Sequence, residues 1–311
     1  MRRSHLLAAV RWVLAGLVLV AVTVALARNW AAVSGYLREV DGTALLLAGL
    51  LALASPPFTL LGWRTLLADL GTALPLPPAA SVFFVGQLGK YVPGSVWSVV
   101  AQTEMGARLG VSRRRMGVVG LLTMGLAALT GVLAGLPALP LLLTRAGGQL
   151  SGWWIVAAGL LGCVLFWPRV LNAGIAVVLR VLRREPLEHD LGGRAVVTTA
   201  AWFLLAWLAA GLSVLTLAHT VAPEVPYTHL FTASVAGFAL ASSIGMFAVV
   251  LPAGFGVRDG ALVLLLGSVM PVAAATAVVV LSRFLTVAAD VLVAGAGWAW
   301  GRAHHLLGSR A

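Results

Sequence analysis

The chain alternates between long apolar runs and short polar segments that are rich in arginine. A helix needs about 20 apolar residues to cross the hydrocarbon core of a bilayer. Six runs reach or approach that length and are predicted to be full spans: 6–27, 44–67, 116–143, 153–167, 195–221 and 272–300. The first run ends in an Ala-Leu-Ala triplet that imitates a signal-peptidase site. It is long for a signal, however, so a retained span is favoured.

Two further apolar segments, 79–106 and 230–270, are each interrupted by glycine and proline. The breaks read GQLGKYVPG at 86–94 and LPAGFGVRDG at 251–260. Glycine weakens a helix and proline removes a backbone donor, so a continuous helix is not expected through either break. Each segment is therefore predicted to be a re-entrant helical hairpin, although eight full spans fit the hydropathy nearly as well. The residues expected to shape the hairpin backbones are Gly86, Gly89, Pro93, Gly94, Pro252, Gly254 and Gly256.

Composition restricts the class of protein. Of the 311 residues, 60% are hydrophobic and 10% are charged, whereas a soluble protein has about 45–50% apolar and about 25% charged residues. A soluble globule of this size and a disordered chain are both excluded. The sequence predicts an all-α polytopic membrane protein with a single transmembrane domain over 1–311.

The distribution of basic residues predicts the orientation in the membrane. Of the 21 lysines and arginines, 14 fall on one side of the predicted topology, three on the other, and four at membrane depth. Because basic loops face the cytoplasm, both termini are predicted to be cytoplasmic in the inner (cell) membrane. The net charge of +11 is then largely explained without a nucleic-acid partner.

The order of the predicted elements repeats. Residues 6–143 and 153–300 each contain a span, a span, a hairpin and a span. Because each half has three full spans, the second half is expected to cross the membrane in the opposite orientation to the first. Inverted repeats with broken helices are typical of transporters; the alternative is that the repeated order of elements is a coincidence. Between the spans, 168–194 is predicted to be a basic cytoplasmic loop with an interfacial amphipathic helix, or else a continuation of the preceding span.

Charged residues at membrane depth are the candidate functional residues, since each costs at least about 2.5–3.5 kcal/mol to insert. Lys90 and Arg258 lie in the two breaks and Arg283 in the last span. Ammonium and guanidinium groups beside exposed backbone amides suit a phosphate. These three are predicted to bind a lipid phosphate. For Lys90 the alternatives are snorkelling to the interface and pairing with Glu104.

Supporting roles are expected for neighbouring residues. Tyr91 and Trp97 can border a lipid headgroup, and Asp259 can cap the short helix that follows the second break. Arg283 and Asp290 are seven residues apart on one helix face, where they can pair with Asp259 and Arg258. Such a network is as consistent with a structural role as with a transport pathway.

Other chemistries lack support in the sequence. There is no cluster of His, Cys and carboxylate residues with metal-ligand spacing, no P-loop and no nucleophile elbow. The longest extramembrane segment, 168–194, is too short for a catalytic domain. We therefore predict no cofactor, no metal, no catalytic residue and no enzymatic activity.

The two broken segments, 86–97 and 251–260, resemble the signature segments of the lysylphosphatidylglycerol synthase transmembrane-region family, also called flippase-like domain proteins. The resemblance implies movement of a lipid between leaflets, in a stand-alone member without the aminoacyl-transferase domain. Family members commonly carry Glu where this chain has Asp259. The first segment, with Lys90-Tyr91 and Pro93-Gly94, also departs from the arginine-bearing pattern of the bifunctional members, so the substrate is not implied.

These observations predict a flippase-like or scramblase-like lipid transport protein of the cell membrane, acting on an anionic phospholipid or a polyprenyl-phosphate-linked sugar. Its partners are membrane lipids. The alternatives are a secondary transporter of a small anion and an accessory subunit that assists a lipid-modifying enzyme or a membrane glycosyltransferase. A membrane-embedded transferase ranks last. The oligomeric state is left open.

Overall fold

The computed structural model describes residues 24, 27, 30–93, 96–141, 152–181, 183–248 and 251–304. All regular secondary structure in these residues is helical, which confirms the predicted all-α polytopic fold. The helices are α1 (Trp30–Glu39), α2 (Gly42–Asp69), α3 (Leu76–Gln87), α4 (Trp97–Arg108), α5 (Arg113–Gly135), α6 (Gly152–Leu165), α7 (Pro168–Val181), α8 (Gly193–Val221), α9 (Tyr227–Phe231), α10 (Gly237–Phe247), α11 (Val257–Leu266) and α12 (Val272–Ala303).

Five helical stretches are long and apolar enough to cross a bilayer: Gly42–Asp69, Arg113–Leu141, Gly193–Val221, Tyr227–Phe247 and Val272–Ala303. Four of them match predicted full spans, and the predicted span 6–27 lies almost entirely outside the described residues. The short run 153–167 forms α6, which reaches a span's length only together with α7, across a bend of 66°.

The first predicted hairpin consists of α3, a 3-10 turn at Leu88–Tyr91, and α4. Each arm has 12 residues and is about 18 Å long, too short to cross a core of about 30 Å. The arms are antiparallel and closely packed. A Cβ placed on Gly86 would lie 2.5 Å from the Gln102 side chain, and one on Gly89 would lie 2.6 Å from the backbone nitrogen of Ser98.

The second predicted hairpin is asymmetric. Its first arm runs from Tyr227 to Phe247 through a π-helical turn at Thr232–Ala236 and, with 21 residues, is long enough to cross the membrane. The returning arm, α11, has only 10 residues. The two arms are antiparallel, because Gly245 lies against Arg258 and Gly237 lies against Leu265.

Helices α2 and α8 form the scaffold behind both hairpins and pack along their lengths. The ring of Phe203 lies over Gly62 and occupies the space that a Cβ at that position would need. The hydroxyl of Ser213 donates a hydrogen bond to the carbonyl oxygen of Ala48 at 2.8 Å. Helix α12 completes the bundle by packing against α2 and α3.

The segment predicted as a basic loop contains the amphipathic helix α7. Asn172 connects α7 to the following loop by accepting from the backbone N–H of Leu191 at 2.9 Å and donating to its carbonyl oxygen at 3.0 Å. The same loop contacts the start of α5, where Arg114 and Arg115 pair with Glu188 at 3.9 and 3.0 Å. Residues Pro168–Val181 are helical, and the position of this helix at the membrane interface stays a prediction.

Candidate functional site

The turns of the two hairpins meet inside the bundle beside a cavity of about 280 Å³. One wall is polar and comes from the hairpin turns, α11 and α12. The other walls are mainly apolar and come from α2, α3, α5, α8 and α10. The charged and phenolic residues that line the cavity are Lys90, Tyr91, Arg258, Arg283 and Asp290. The local breaks in the helices therefore place both turns at one site.

Lys90 and Tyr91, at the end of the first turn, both contact Asp290 on α12. The Nζ of Lys90 lies 2.7 Å from Oδ2 of Asp290, and the Tyr91 hydroxyl donates to the same oxygen at 2.6 Å. The Asp290 side chain is 12% exposed and that of Lys90 is 36% exposed. Asp290 is therefore the more deeply buried partner, while Lys90 keeps access to the cavity.

The second turn carries its own charge cluster. Nε of Arg258 donates to Oδ1 of Asp259 at 3.3 Å, and the Arg283 guanidinium lies 3.9 Å from the same oxygen. The other oxygen of Asp259 accepts from the backbone N–H of Gly256 at 3.2 Å and so caps α11, as predicted. Arg283 also donates to the carbonyl oxygen of Ala253 at 3.4 Å.

The cations are further stabilised by aromatic rings. The guanidinium of Arg258 lies 5.4 Å from the centroid of Phe238, and that of Arg283 lies 5.3 Å from the centroid of Phe255. Such contacts favour a cation that is partly removed from water. Counted in their charged forms, the three cations and two carboxylates of the site give a net charge of about +1.

Two pairings that the sequence left open are not formed. Glu104 does not contact Lys90 but forms a bidentate ion pair with Arg113, with both distances 2.9 Å, because the tight turn after α4 brings the two together. Asp290 pairs with the first hairpin and not with Arg258, because α12 packs against α3. The predicted contact between Arg283 and Asp259 is confirmed.

The aromatic and glycine predictions have mixed outcomes. Tyr91 lines the cavity, whereas Trp97 lies outside its lining and donates to the carbonyl oxygen of Pro93 at 3.1 Å. Gly86 and Gly89 were expected to shape the hairpin backbone, and their missing side chains make room for α4.

The second turn uses glycine differently. Gly254 and Gly256 have φ angles of +65° and +81°, a region that side chains with a Cβ rarely adopt. Pro252 begins the 3-10 turn that contains Gly254. Gly94 lies outside the described residues.

Several cavity residues were not identified from the sequence. Ser55 and Thr59 contribute from α2, next to the prolines at 56 and 57, and Trp207 contributes from α8. Ser242 on α10 is 7% exposed, and its hydroxyl has no hydrogen-bond partner among the described residues. The Ser-Pro-Pro sequence inside an apolar span was the available signal for the α2 wall, since proline frees backbone carbonyls in a helix.

Within the described residues, no group of three His, Cys, Asp or Glu side chains is arranged to hold a metal ion. A comparison with curated proteins gives no match. The sequence pattern of the family described as the lysylphosphatidylglycerol synthase TM region matches residues 13–294. This match includes both hairpins and every charged residue of the cavity. The chain therefore belongs to the lysylphosphatidylglycerol synthase transmembrane-region family.

Proposed function

We propose that the protein speeds the movement of an anionic lipid across the bilayer by binding its headgroup phosphate in the cavity between the hairpins. The supporting observation is that Lys90, Arg258 and Arg283, from three separate segments of the chain, line one cavity. Guanidinium groups bind phosphate oxygens in pairs, and an ammonium adds a point charge. The lipid tails stay in the surrounding hydrocarbon.

The expected rate effect follows from the cost of moving charge through hydrocarbon. A single charge at the bilayer centre costs at least about 2.5–3.5 kcal/mol on insertion scales. Each 1.4 kcal/mol removed from the barrier speeds crossing about tenfold. A cavity that neutralises the phosphate halfway across is therefore expected to accelerate lipid movement by about two orders of magnitude or more.

Reconstitution into vesicles tests this proposal. Fluorescent phosphatidylglycerol in the outer leaflet is exposed to a membrane-impermeant quencher, and the fraction that becomes protected is followed over time. Lys90→Ala/Arg258→Ala is expected to reduce the rate to that of protein-free vesicles. Arg113→Gln removes an exposed cation whose partner is Glu104 and is expected to keep the full rate. Unchanged lipid movement in the double variant would show that the proposed mechanism is wrong.

The same vesicles separate lipid movement from transport of a soluble anion. Vesicles loaded with buffer are given radiolabelled inorganic phosphate, and uptake is measured beside the lipid assay. We expect lipid movement without phosphate uptake. Uptake that is lost in the double variant, with no lipid movement in either protein, would instead assign a secondary transporter of small anions.

The proposal also includes an orientation in the cell membrane. The N-terminal end of α5 and the loop at 183–192, which carry a cluster of arginines, face the cytoplasm as the positive-inside rule expects. A cysteine introduced at Glu185 in a Cys163→Ser background is expected to react with a membrane-impermeant maleimide only after the cells are permeabilised. Labelling in intact cells would show that the orientation is the opposite of the proposed one.

A further inference from the structure

We infer that the cavity selects a singly charged phosphodiester headgroup over doubly charged phosphates, and that Asp290 sets this limit. The inference rests on the proposed function, because it concerns the lipid that the same cavity would accept. It adds a specificity that the cations alone do not predict, since three cations by themselves would favour the more highly charged ligand.

The first step is the charge balance around the cavity. Lys90, Arg258, Arg283 and Asp290 are the charged residues that line it, and together they carry about two positive charges. Asp259 is not one of the lining residues but contacts both arginines, at 3.3 and 3.9 Å, which lowers the net charge to about +1. A monoanionic headgroup makes the site neutral, whereas a dianion leaves one uncompensated negative charge in a medium of low dielectric constant.

The second step distinguishes the two carboxylates. Asp259 is fixed, because the backbone N–H of Gly256 and both arginines hold it away from the cavity lining. Asp290 lines the cavity and is held by the ammonium of Lys90 and the hydroxyl of Tyr91. A phosphate that binds Lys90 therefore lies next to the Asp290 carboxylate.

The third step is the geometry that permits both partners. The Lys90 ammonium has three donors, and its side chain is 36% exposed. It can therefore keep its contact with Asp290 and donate to a phosphate oxygen. The negative charge of Asp290 stays beside the ligand and disfavours a second charge on the phosphate.

Two kinds of lipid carry this headgroup chemistry. A glycerophospholipid such as phosphatidylglycerol and a prenyl-phosphate-linked sugar are both phosphodiesters with one negative charge. Phosphatidic acid and prenyl phosphate are monoesters, whose second pKa near 6 makes them mostly dianionic at pH 8. The experiment compares these two pairs and thereby also identifies the source of the phosphodiester.

The test measures lipid binding to the purified full-length chain in nanodiscs at pH 8. Phosphatidylglycerol and phosphatidic acid with identical acyl chains compete with a fluorescent phosphatidylglycerol analogue. A second arm uses a prenyl-phosphate-linked glucose and the matching prenyl phosphate. The wild-type protein is expected to bind the diester of at least one pair about tenfold or more tightly than its monoester. Equal binding within each pair, or tighter monoester binding, overturns the inference.

Three variants test whether the net charge of the cavity sets the preference for the diester. Asp290→Asn raises the net charge by one and is expected to shift the preference about tenfold or more toward the monoester. Lys90→Met/Asp290→Asn restores the original net charge and is expected to restore the diester preference, although both lipids bind more weakly. Glu104→Gln removes a carboxylate outside the cavity, paired with Arg113, and is expected to leave the preference unchanged.

The possible failures are distinguishable. If phosphatidylglycerol crosses the bilayer in a manner that depends on Lys90 and Arg258, but the preference does not respond to Asp290→Asn, the inference fails and the proposed function stands. If Glu104→Gln shifts the preference as far as Asp290→Asn does, general electrostatics and not the cavity sets it, and the inference is again wrong. Thermal unfolding verifies that each variant is folded. If Asp290→Asn alone does not fold, Lys90→Met/Asp290→Asn still tests the inference, because loss of its diester preference would contradict the charge argument.

Discussion

The Lys90 ammonium and the Asp290 carboxylate form an ion pair of 2.7 Å between the first hairpin and the last helix. The same helix supplies Arg283, which contacts Asp259 of the second hairpin at 3.9 Å. Helix α12 thus contributes a carboxylate to the ion pair with the first hairpin and, two turns away, a guanidinium to the ion pair with the second. Both hairpin turns are therefore held against the same helix.

The unequal burial of this pair predicts unequal effects of removing its members. Lys90→Met leaves Asp290, whose side chain is 12% exposed, with the Tyr91 hydroxyl as its one partner among the described residues. We therefore expect a loss of about 2–3 kcal/mol in the free energy of unfolding. Asp290→Asn leaves Lys90 able to reach water, and we expect a loss of about 1 kcal/mol. Denaturant titration in detergent micelles measures both.

A double-mutant cycle provides the control for this prediction. Lys90→Met/Asp290→Asn is expected to lose at least about 1 kcal/mol less than the two single variants added together. The exposed pair of Arg113 and Glu104, with side chains 66% and 57% exposed, is expected to show a coupling energy below about 0.5 kcal/mol. Equal coupling energies for the two pairs would contradict the burial argument.

The sequence was sufficient to predict the hairpin breaks and the cations that line the cavity. Glycine and proline interrupt helices through local backbone effects, which do not depend on tertiary contacts. A lysine or arginine inside an apolar segment must reach a polar partner or a cavity wherever the segment packs. For this reason Lys90, Arg258 and Arg283 could be selected without knowledge of the fold.

The partners of these cations could not be predicted in the same way. By sequence alone, either Glu104 or Asp290 could be the carboxylate that pairs with Lys90. The packing of α12 against the first hairpin brings Asp290 to Lys90. Ser242 and Ser243 are a second case in which the sequence does not predict the contacts of a polar side chain. Ser243 donates to the carbonyl oxygen of Ala239 within its own helix, whereas its neighbour Ser242 lines the cavity. Both carry the same side chain in the same apolar helix.

The close approach of the arms in the first hairpin predicts a strong effect of a methyl group at Gly89. An added Cβ would lie 2.6 Å from backbone atoms of Trp97 and Ser98, which cannot move without separating α3 from α4. We expect Gly89→Ala to lower the free energy of unfolding by about 2 kcal/mol and to slow phosphatidylglycerol movement in vesicles, since Lys90 is the next residue.

Gly117 in α5 supplies the comparison for that substitution. A Cβ on Gly117 meets nothing within 4 Å, so Gly117→Ala is expected to stabilise its helix slightly and to leave lipid movement unchanged. If both variants lose stability by the same amount, close packing at the first turn is not the cause.

The backbone conformation at the second turn predicts a contrast between two glycines four residues apart. Gly256 has a φ of +81° at the start of α11, whereas Gly260 lies within that helix in open space. We expect Gly256→Ala to cost about 1–2 kcal/mol and Gly260→Ala to gain about 0.5–1 kcal/mol. Thermal unfolding of the two variants side by side measures the difference, and a loss at Gly260 as large as that at Gly256 would disprove the backbone explanation.

The contact between Asn172 and Leu191 predicts a change that affects the loop and not the cavity. Asn172→Ala removes both hydrogen bonds to the backbone of Leu191, which is 2% exposed. The unpaired backbone groups are expected to destabilise the loop by about 2–3 kcal/mol. Limited trypsin digestion is expected to cleave faster after Arg183 and Arg184, while phosphatidylglycerol movement continues at the wild-type rate. Arg169→Ala, on the exposed surface of the same helix, is the control and should change neither measurement. A folded Asn172→Ala protein that no longer moves lipid would instead place this loop in the function, as the accessory-subunit alternative requires.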